Sequence, residues 1–585
     1  MLSSSKIINS YLDKRDWRVQ ENSNAPFSFG ALGKRIVSEV STDYWLEDIY
    51  TKEITEAHND GSMHIHDLGG LTVYCCGYSI RSIIEKGVCG VPNIPTSSSA
   101  RHFGALLNQL ANLTTVFQNE IMGAVAFSSL DTYLAPYVKE DKLDYAEVKQ
   151  QMQNYIFSIN SNSRGGAEPA FTNVTFDLTP PRDLLDSPVW WGGTLLDYTY
   201  GDCQIEMDMI NRAFYELMLK GDANNAPFAY PIPTYNIHDR FDWDNPNNDA
   251  LWEMTGRFGY PYFANFINSD MDPSDARSMC CRLRLDLRQL QRRNGGLFGA
   301  GESTGSIGVV TLDLPKYAYL AHKKRSIFFA ILSKYMDLAK ESLEIKRAFL
   351  NEEILGKGLL PAFSTYVGTL VNHFSTIGVI GMNEMCMNFL GVNILHPEGK
   401  MFAEEVLIFM RERLIQYQAE TGILYNLEAT PAESTCYRLA LIDKRLYPDI
   451  ITQGTFDTPY YTNSCHIPVK EVQSIFQVLN HQDDLQVLFT GGTVVHHFLE
   501  GPISGLKAKN LIRTMCENYR IPYVDLSPLN RYCPEHGYVA AIIEECPTCG
   551  APLELLQRIT GYLRRVKFFN EGKQQEFKDR TQLKL

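Results

Sequence analysis

The run IGVVTLDLP at residues 307–315 is the stretch from which the fold is read. It is short, apolar and rich in β-branched residues, and it stops at a proline, so it reads as a strand rather than a helix. Similar runs bounded by turn residues recur at AFTNVTFDLTP (170–180), PFAYPIPTYNI (227–237), LYNLEATP (424–431) and LQVLFTGGTVVHHF (485–498), with a shorter one at LTVYCCGYSI (71–80). Helical stretches separate them. The first sixty residues are polar and helical, and SARHFGALLNQLANLTTVFQNEIMGAVAF (99–127), YAEVKQQMQNYIFSINSNS (145–163), RSIFFAILSKYMDLAKESLEIKRAFL (325–350) and MFAEEVLIFMRERLIQYQAET (401–421) carry long amphipathic patterns. Strands alternating with long helices predict an α/β architecture with a largely parallel inner sheet. The pattern alone leaves open whether that sheet closes on itself.

Composition narrows the class. The 585 residues contain 44% hydrophobic and 21% charged positions, values of a soluble globular protein. A net charge of −14 argues against a nucleic-acid binder, which carries a broad basic surface. No linker rich in Pro, Gly or Ser divides the chain, and no internal repeat is visible. MLSSSKIINSYLDKRDW has no apolar signal core and no run approaches about 18 apolar residues, so neither secretion nor a membrane span is expected. Thirteen cysteines, several adjacent or metal-spaced, suit a reducing cytoplasm better than a disulfide framework.

Four of those cysteine and histidine positions form a metal motif. Cys533-Pro-Glu-His536 and Cys546-Pro-Thr-Cys549 are two ligand pairs separated by nine residues, a spacing that lets two tight turns aim four ligands at one tetrahedral Zn2+. With all four positions filled by protein, such an ion is structural. Beyond it lies a lone glycine in Arg558-Ile559-Thr560-Gly561-Tyr562, followed by the polar tail FNEGKQQEFKDR. Two Cys-Cys pairs stand elsewhere, Cys75-Cys76 in YCCG and Cys280-Cys281 in MCCR. His64, His66 and Asp67 (HIHD) are read as packing and hydrogen-bonding residues, with the two histidines expected to face opposite ways. The glycine-rich GGLFGAGESTGSIG precedes a strand instead of following one, which excludes a nucleotide-binding glycine loop. Gly491 and Gly492 do follow an apolar run; they are either a simple turn or a backbone cradle for phosphate oxygens. Arg282, Arg284, Arg288, Arg292 and Arg293 suit a solvated helix face or a polyanion.

The RITGY run, 24 residues from the C-terminus, resembles the glycyl-radical site of the anaerobic, class III ribonucleotide reductases. The resemblance extends through DWRVQENSN, MHIHDL (63–68), GGAEPAFTNVTFDLTPP (165–181), PIPTYNI (231–237), MCCRLRLDL (279–287), TGSIGVVTLDLP (304–315), EATPAEST (428–435) and FTGGTVVHHF (489–498), in the family's order. It implies a ten-stranded α/β barrel over 1–525 and a C-terminal zinc and glycyl-radical segment over 526–585. It also implies reduction of ribonucleoside triphosphates to 2′-deoxy products. Gly561 matches the radical position, where spin is shared by both flanking amides and no Cβ hinders planarity. Cys281 matches the thiyl position, and Cys75 the cysteine on the first barrel strand, across the substrate.

Two features depart from formate-using members. Cys280 stands beside the thiyl position, and the run before GVV is TGSIGVV without an asparagine. Dithiol-coupled turnover is therefore expected, with a thioredoxin- or glutaredoxin-like reductant reopening a disulfide. The partner of Cys75 is Cys280 or Cys76, with Cys280 favoured because Cys76 faces away on a strand of period two. Glu302 is the nearest candidate base for the 3′-hydroxyl. The family also implies a radical S-adenosylmethionine activating enzyme, deoxynucleotide and ATP effectors, and a homodimer whose interface is sought at 99–127 and 145–163. An N-terminal ATP cone is expected to be absent. Another glycyl radical enzyme of the formate-lyase or dehydratase type is the alternative within enzymes, and a zinc-ribbon binding protein the alternative outside them.

Overall fold

The computed structural model describes residues 4–13, 27–162, 168–269, 303–539 and 542–585. Cys280, Cys281, Glu302 and the arginines between 282 and 293 lie outside these described residues.

The central sheet is built from strands β1 (Met63–Ile65), β2 (Cys75–Tyr78), β3 (Val125–Phe127), β4 (Thr172–Phe176), β5 (Ile232–Ile237), β6 (Tyr262–Asn265), β7 (Gly305–Asp313), β8 (His373–Ile380), β9 (Tyr425–Glu428) and β10 (Tyr523–Val524). Strand β7 takes in residues 307–313 of the run at 307–315, whose last two residues open the helix Leu314–Leu320, and all nine residues of the strand are buried. Strands covered on both faces need apolar or small residues at successive positions, which is why β7 and β8 show no apolar–polar alternation.

Strands β2 to β6 run parallel in that order, and β7, β8 and β9 run parallel to one another. The two sets meet where β2 pairs antiparallel with β7, at Cys75↔Ser306; β1 extends the same seam at Met63↔Leu312. At the far edge β10 pairs antiparallel with β6. The segment 490–495 joins the two free edges. Thr490 and Gly491 donate their N–H groups to Leu427 O at 3.1 and 2.7 Å, Ala429 N–H reaches Gly492 O at 2.8 Å, and Val495 bridges in parallel to Val524. The sheet is thereby closed into a ring, and both edges lose the unpaired groups that an open sheet would expose. The α/β barrel implied by the family resemblance is present.

Strand alternation sorts side chains into two cores. Cys76, Tyr78, Val125, Phe263, Leu427 and Val524 join the large outer core beneath the helices. Cys75, Ala124, Ala126, Phe374 and Leu424 form one inner cluster, and Tyr230, Ile232, Tyr262, Ala264, Val494 and Tyr523 a second. Helices supply the outer layer. Arg325–Phe349 buries Phe328, Leu332, Met336, Ala339 and Leu343, a single stripe at helical spacing. Tyr145–Ile159 starts at a capping box made by Asp144 and Glu147.

Two expectations are corrected. The helix expected over 99–127 spans only Phe103–Phe117, and Val125–Phe127 is barrel strand β3. The polar turn after it ends the helix, and Glu120 there accepts the N–H groups of Ala362 and Phe363 at 2.9 and 2.7 Å. The run at 485–498 is likewise not one strand: Ile475–Gln486 is helix, 490–495 is sheet-like, and Phe498 opens a separate two-residue strand paired parallel with Ser527–Pro528.

Candidate active site and metal centre

The C-terminal segment forms a separate four-stranded antiparallel sheet of β11 (Asn530–Cys533), β12 (Gly537–Val539), β13 (Glu554–Arg558) and β14 (Leu563–Arg565), in the order β12–β11–β13–β14. The β11–β12 turn and the residues before β13 bring Cys533, His536, Cys546 and Cys549 together, with all four ligand atoms within 4.8 Å of one another. Cys533 Sγ lies 3.8 Å from Cys549 Sγ and 3.5 Å from His536 Nδ1, and Cys546 Sγ lies 3.7 Å from that nitrogen. A tetrahedral ion with metal–sulfur bonds near 2.3 Å requires ligand edges of about 3.8 Å, so these residues fit Zn2+. This is the metal-binding group found among the described residues.

Gly561 stands at the opposite end of the same sheet, in the β13–β14 hairpin. Its N–H donates to Glu433 Oε1 at 3.0 Å, and its carbonyl accepts from the Tyr262 hydroxyl at 2.6 Å and from Arg558 Nη1 at 3.4 Å. Tyr262 is the first residue of β6 and belongs to the inner cluster, so the hairpin tip reaches the ring's interior. The neighbouring Tyr562 meets Phe171 edge-on at 6.0 Å between ring centres. Phe171 packs against both inner clusters and so connects the hairpin to the surroundings of Cys75.

Behind the tip lies a buried ionic frame. Arg558 pairs with Asp525 at 3.0 Å, lies 4.1 Å from the Tyr262 ring centre, and donates to the Gly259 carbonyl. Arg580, from the polar tail, donates to Arg558 O at 3.0 Å and Ile559 O at 2.8 Å while pairing with Glu576 at 2.9 Å. Glu576 is also held by Lys573 at 2.5 Å. A tail rich in charge is thus buried because its charges are matched and bonded to the hairpin backbone.

Cys75 is 1% exposed and faces inward. The Ala124 N–H approaches its sulfur at 3.4 Å. A Cβ on Gly123 would sit 2.6 Å from that sulfur, so only glycine leaves room for it. Cys76 faces the outer core, as the strand period requires, and burial pushes its thiol well up. Lys346 is buried near Cys75; burial pulls its ammonium down to about 8, against the opposing pull of Asp67 and Cys75.

The histidines of HIHD are corrected in part. His64 and His66 do not face opposite ways: positions two apart share a strand face, and the rings meet at 4.6 Å. Their packing role holds. His66 Nε2 contacts Thr311 Oγ1 at 2.8 Å, His64 Nδ1 contacts Arg438 at 3.2 Å, and burial holds both well below the usual imidazole range. At Gly491 the N–H donates to Leu427 O at 2.7 Å, and the Gly492 carbonyl accepts from the Ala429 N–H at 2.8 Å. Sequence reading missed Tyr262, Phe171, Arg558, Arg580 and Glu433. Of these, Phe171, Glu433, Arg558 and Arg580 lie inside runs already singled out in the sequence, and Tyr262 lies outside them.

The model of the family "Anaerobic ribonucleoside-triphosphate reductase" matches residues 21–582. The anaerobic ribonucleoside-triphosphate reductase of Enterobacteria phage T4 is 23% identical over 598 residues, covering 93% of this chain and 90% of that protein. A solved anaerobic ribonucleotide reductase superposes with a TM-score of 0.79 at 20% identity, over 99% of this chain and 93% of the other. The Thermotoga maritima enzyme, solved in complex with dATP and CTP, gives a TM-score of 0.76 at 20% identity, over 97% and 93%. With the ring, the inserted hairpin and the cysteine–histidine knuckle all in place, this chain belongs to the anaerobic ribonucleoside-triphosphate reductase family.

Proposed function

We propose that this chain reduces ribonucleoside triphosphates to 2′-deoxyribonucleoside triphosphates in the absence of oxygen, starting from a radical on Gly561. The observation that supports this best is the hairpin tip inside the ring, with Gly561 bonded to Tyr262 and Tyr562 against the Phe171 that also lines the Cys75 cluster.

In this reading a radical S-adenosylmethionine enzyme removes an α-hydrogen from Gly561. Gly561 regains a hydrogen atom from Cys281, whose thiyl takes the 3′-hydrogen of the ribose while Glu302 accepts the 3′-hydroxyl proton. The 2′-hydroxyl leaves as water with a proton from one thiol of the Cys75–Cys280 pair. Cys75 and Cys280 supply two electrons and close a disulfide, the 3′-hydrogen returns from Cys281, and the resulting thiyl takes a hydrogen atom back from Gly561 to restore the glycyl radical. A thioredoxin- or glutaredoxin-like dithiol reopens that disulfide. Gly492 offers its amide to the substrate's phosphates. Residues 526–585 act as the segment that carries the glycine, braced by Zn2+ at Cys533, His536, Cys546 and Cys549. The active form is a homodimer regulated by deoxynucleotides and ATP, and it works in the cytoplasm. Among the described residues no helix is long and apolar enough to cross a membrane.

The test is electron paramagnetic resonance after anaerobic incubation with an activating enzyme. A Cβ at position 561 would lie 3.4 Å from Glu433 Oε1, an ordinary contact, so Gly561→Ala is expected to fold. Wild type gives the α-proton doublet and deoxynucleotide product with a reduced dithiol; Gly561→Ala gives neither. A silent wild type, or a doublet that survives in Gly561→Ala, defeats the reading. Turnover only with formate defeats the dithiol half alone.

A further inference from the structure

We propose that Tyr262 and Glu433 are positioning residues that tune the electronic stability of the radical at Gly561, by polarising the glycine from its two ends. The inference rests on the radical reading above.

An α-carbon radical between two amides is stabilised because the amide nitrogen donates electron density to it and the carbonyl withdraws density from it. Any group that makes the nitrogen richer and the carbonyl poorer strengthens both effects together. The environment of Gly561 has this polarity. A carboxylate, Glu433, accepts the Gly561 N–H at 3.0 Å, and a phenol, Tyr262, donates to the Gly561 carbonyl at 2.6 Å. The Arg558 guanidinium adds positive charge at the carbonyl end, 3.4 Å from the same oxygen. Negative charge therefore faces the donor end and positive charge the acceptor end.

These groups are fixed before any radical forms. Tyr262 is buried on β6 with Arg558 across its ring, and Arg558 is anchored by Asp525 and the Gly259 carbonyl. Dipoles held in place and aimed at a centre whose electron distribution changes need no reorganisation when it changes, and they act more strongly where water is excluded. Both bonds are of the charge-assisted or short kind that carries the larger share of hydrogen-bond energy. A simple glycine turn would need neither partner. The β13–β14 hairpin is already closed by the Ile559 N–H to Tyr562 O bond at 3.0 Å.

The experiment compares wild type, Tyr262→Phe and Glu433→Gln after anaerobic activation, using the α-proton splitting and exchangeable couplings in D2O. In Tyr262→Phe less spin reaches the carbonyl, so the α-proton doublet widens and the exchangeable coupling from the hydroxyl disappears. Accumulated radical falls roughly tenfold, the change that one hydrogen bond of differential stabilisation corresponds to. Glu433→Gln widens the doublet through the nitrogen end. Should Tyr262→Phe fold poorly, a fluorinated tyrosine at 262 keeps the ring and strengthens the donor, and the doublet narrows. A wild-type doublet reproduced unchanged in splitting and couplings in both variants overturns this inference alone. No doublet in wild type overturns the radical reading beneath it.

Discussion

Removing the Arg580 guanidinium tests the reasoning about how the Gly561 hairpin is held. The side chain is fully buried, and the Arg580 guanidinium bonds Arg558 O, Ile559 O and Gln557 Oε1 at 3.0, 2.8 and 3.1 Å. It also stacks 3.9 Å from the Phe498 ring centre. Arg580→Met keeps the aliphatic stem and removes these bonds. Each carbonyl losing a charged donor costs about 1.5–3 kcal/mol. Loss of a buried ion-pair partner would cost about 3–5 kcal/mol more, but Glu576 keeps Lys573 at 2.5 Å, so that penalty is largely avoided. Gln557 Oε1 keeps the Gln582 amide as a donor, so the two main-chain carbonyls carry the loss, about 4 kcal/mol together, roughly a thousandfold increase in local opening. Hydrogen exchange on peptides spanning 554–565 measures that opening directly. Faster exchange there, with the protection of β7 and β8 retained, is the expected result. Wild-type protection of the hairpin in Arg580→Met refutes the claim that the tail clamps it.

Three further outcomes are expected. Stripping the metal with a strong chelator releases zinc, lowers the melting temperature and speeds exchange across β11–β14, because the ligand set at 533–549 ties that sheet; metal analysis and calorimetry check it, and an unchanged melting curve after zinc loss counts against a bracing role. Cys75→Ser retains the radical signal but loses turnover, at a stability cost of about 1–3 kcal/mol because it buries a hydroxyl in an apolar cluster; loss of the doublet itself would contradict the division of labour between Cys75 and Gly561. Burial lowers His66, His373 and His466 to about 3 and His497 to about 4, so the unfolded chain binds more protons than the folded one between pH 6.5 and those values. Stability is therefore full above pH 6.5 and is lost as pH falls, each histidine costing about 2 kcal/mol by pH 5; a melting temperature flat over that range is the refuting result.

What the sequence made legible follows physical range. Strands β4, β5, β7 and β9 were visible because each is an apolar run cut off by turn residues. Strand β3 was absorbed into a helix because Val125–Phe127 is three residues long and follows fifteen helical ones without a proline between. Strands β6 and β10 are four and two residues long, and the β10 pairing that places Tyr523 beside Ala264 joins residues far apart in the chain. The metal ligands were legible because their chemistry is local. Cys75 and Cys76 sorted to opposite faces as a period of two requires, while the same period, misapplied, separated His64 from His66. The partners of Gly561 were not legible: Glu433 lies 128 residues away and Tyr262 lies 299 away, and no local pattern encodes a contact made only when the ring closes.

The small C-terminal sheet places its metal turn at one end and Gly561 at the other, with Tyr532↔Glu554 near the knuckle and Arg558↔Leu563 next to the glycine. Among the described residues it pairs with none of the ring's strands. The glycine is thus mounted on a cartridge of its own, whose latches to the ring include Arg558–Asp525, Arg558–Gly259, Tyr262 and Glu433. Displacing that cartridge would break side-chain contacts such as these and leave the strand-to-strand hydrogen bonds of the ring intact. Oxidants that attack the knuckle's sulfurs would loosen that same cartridge from its other end.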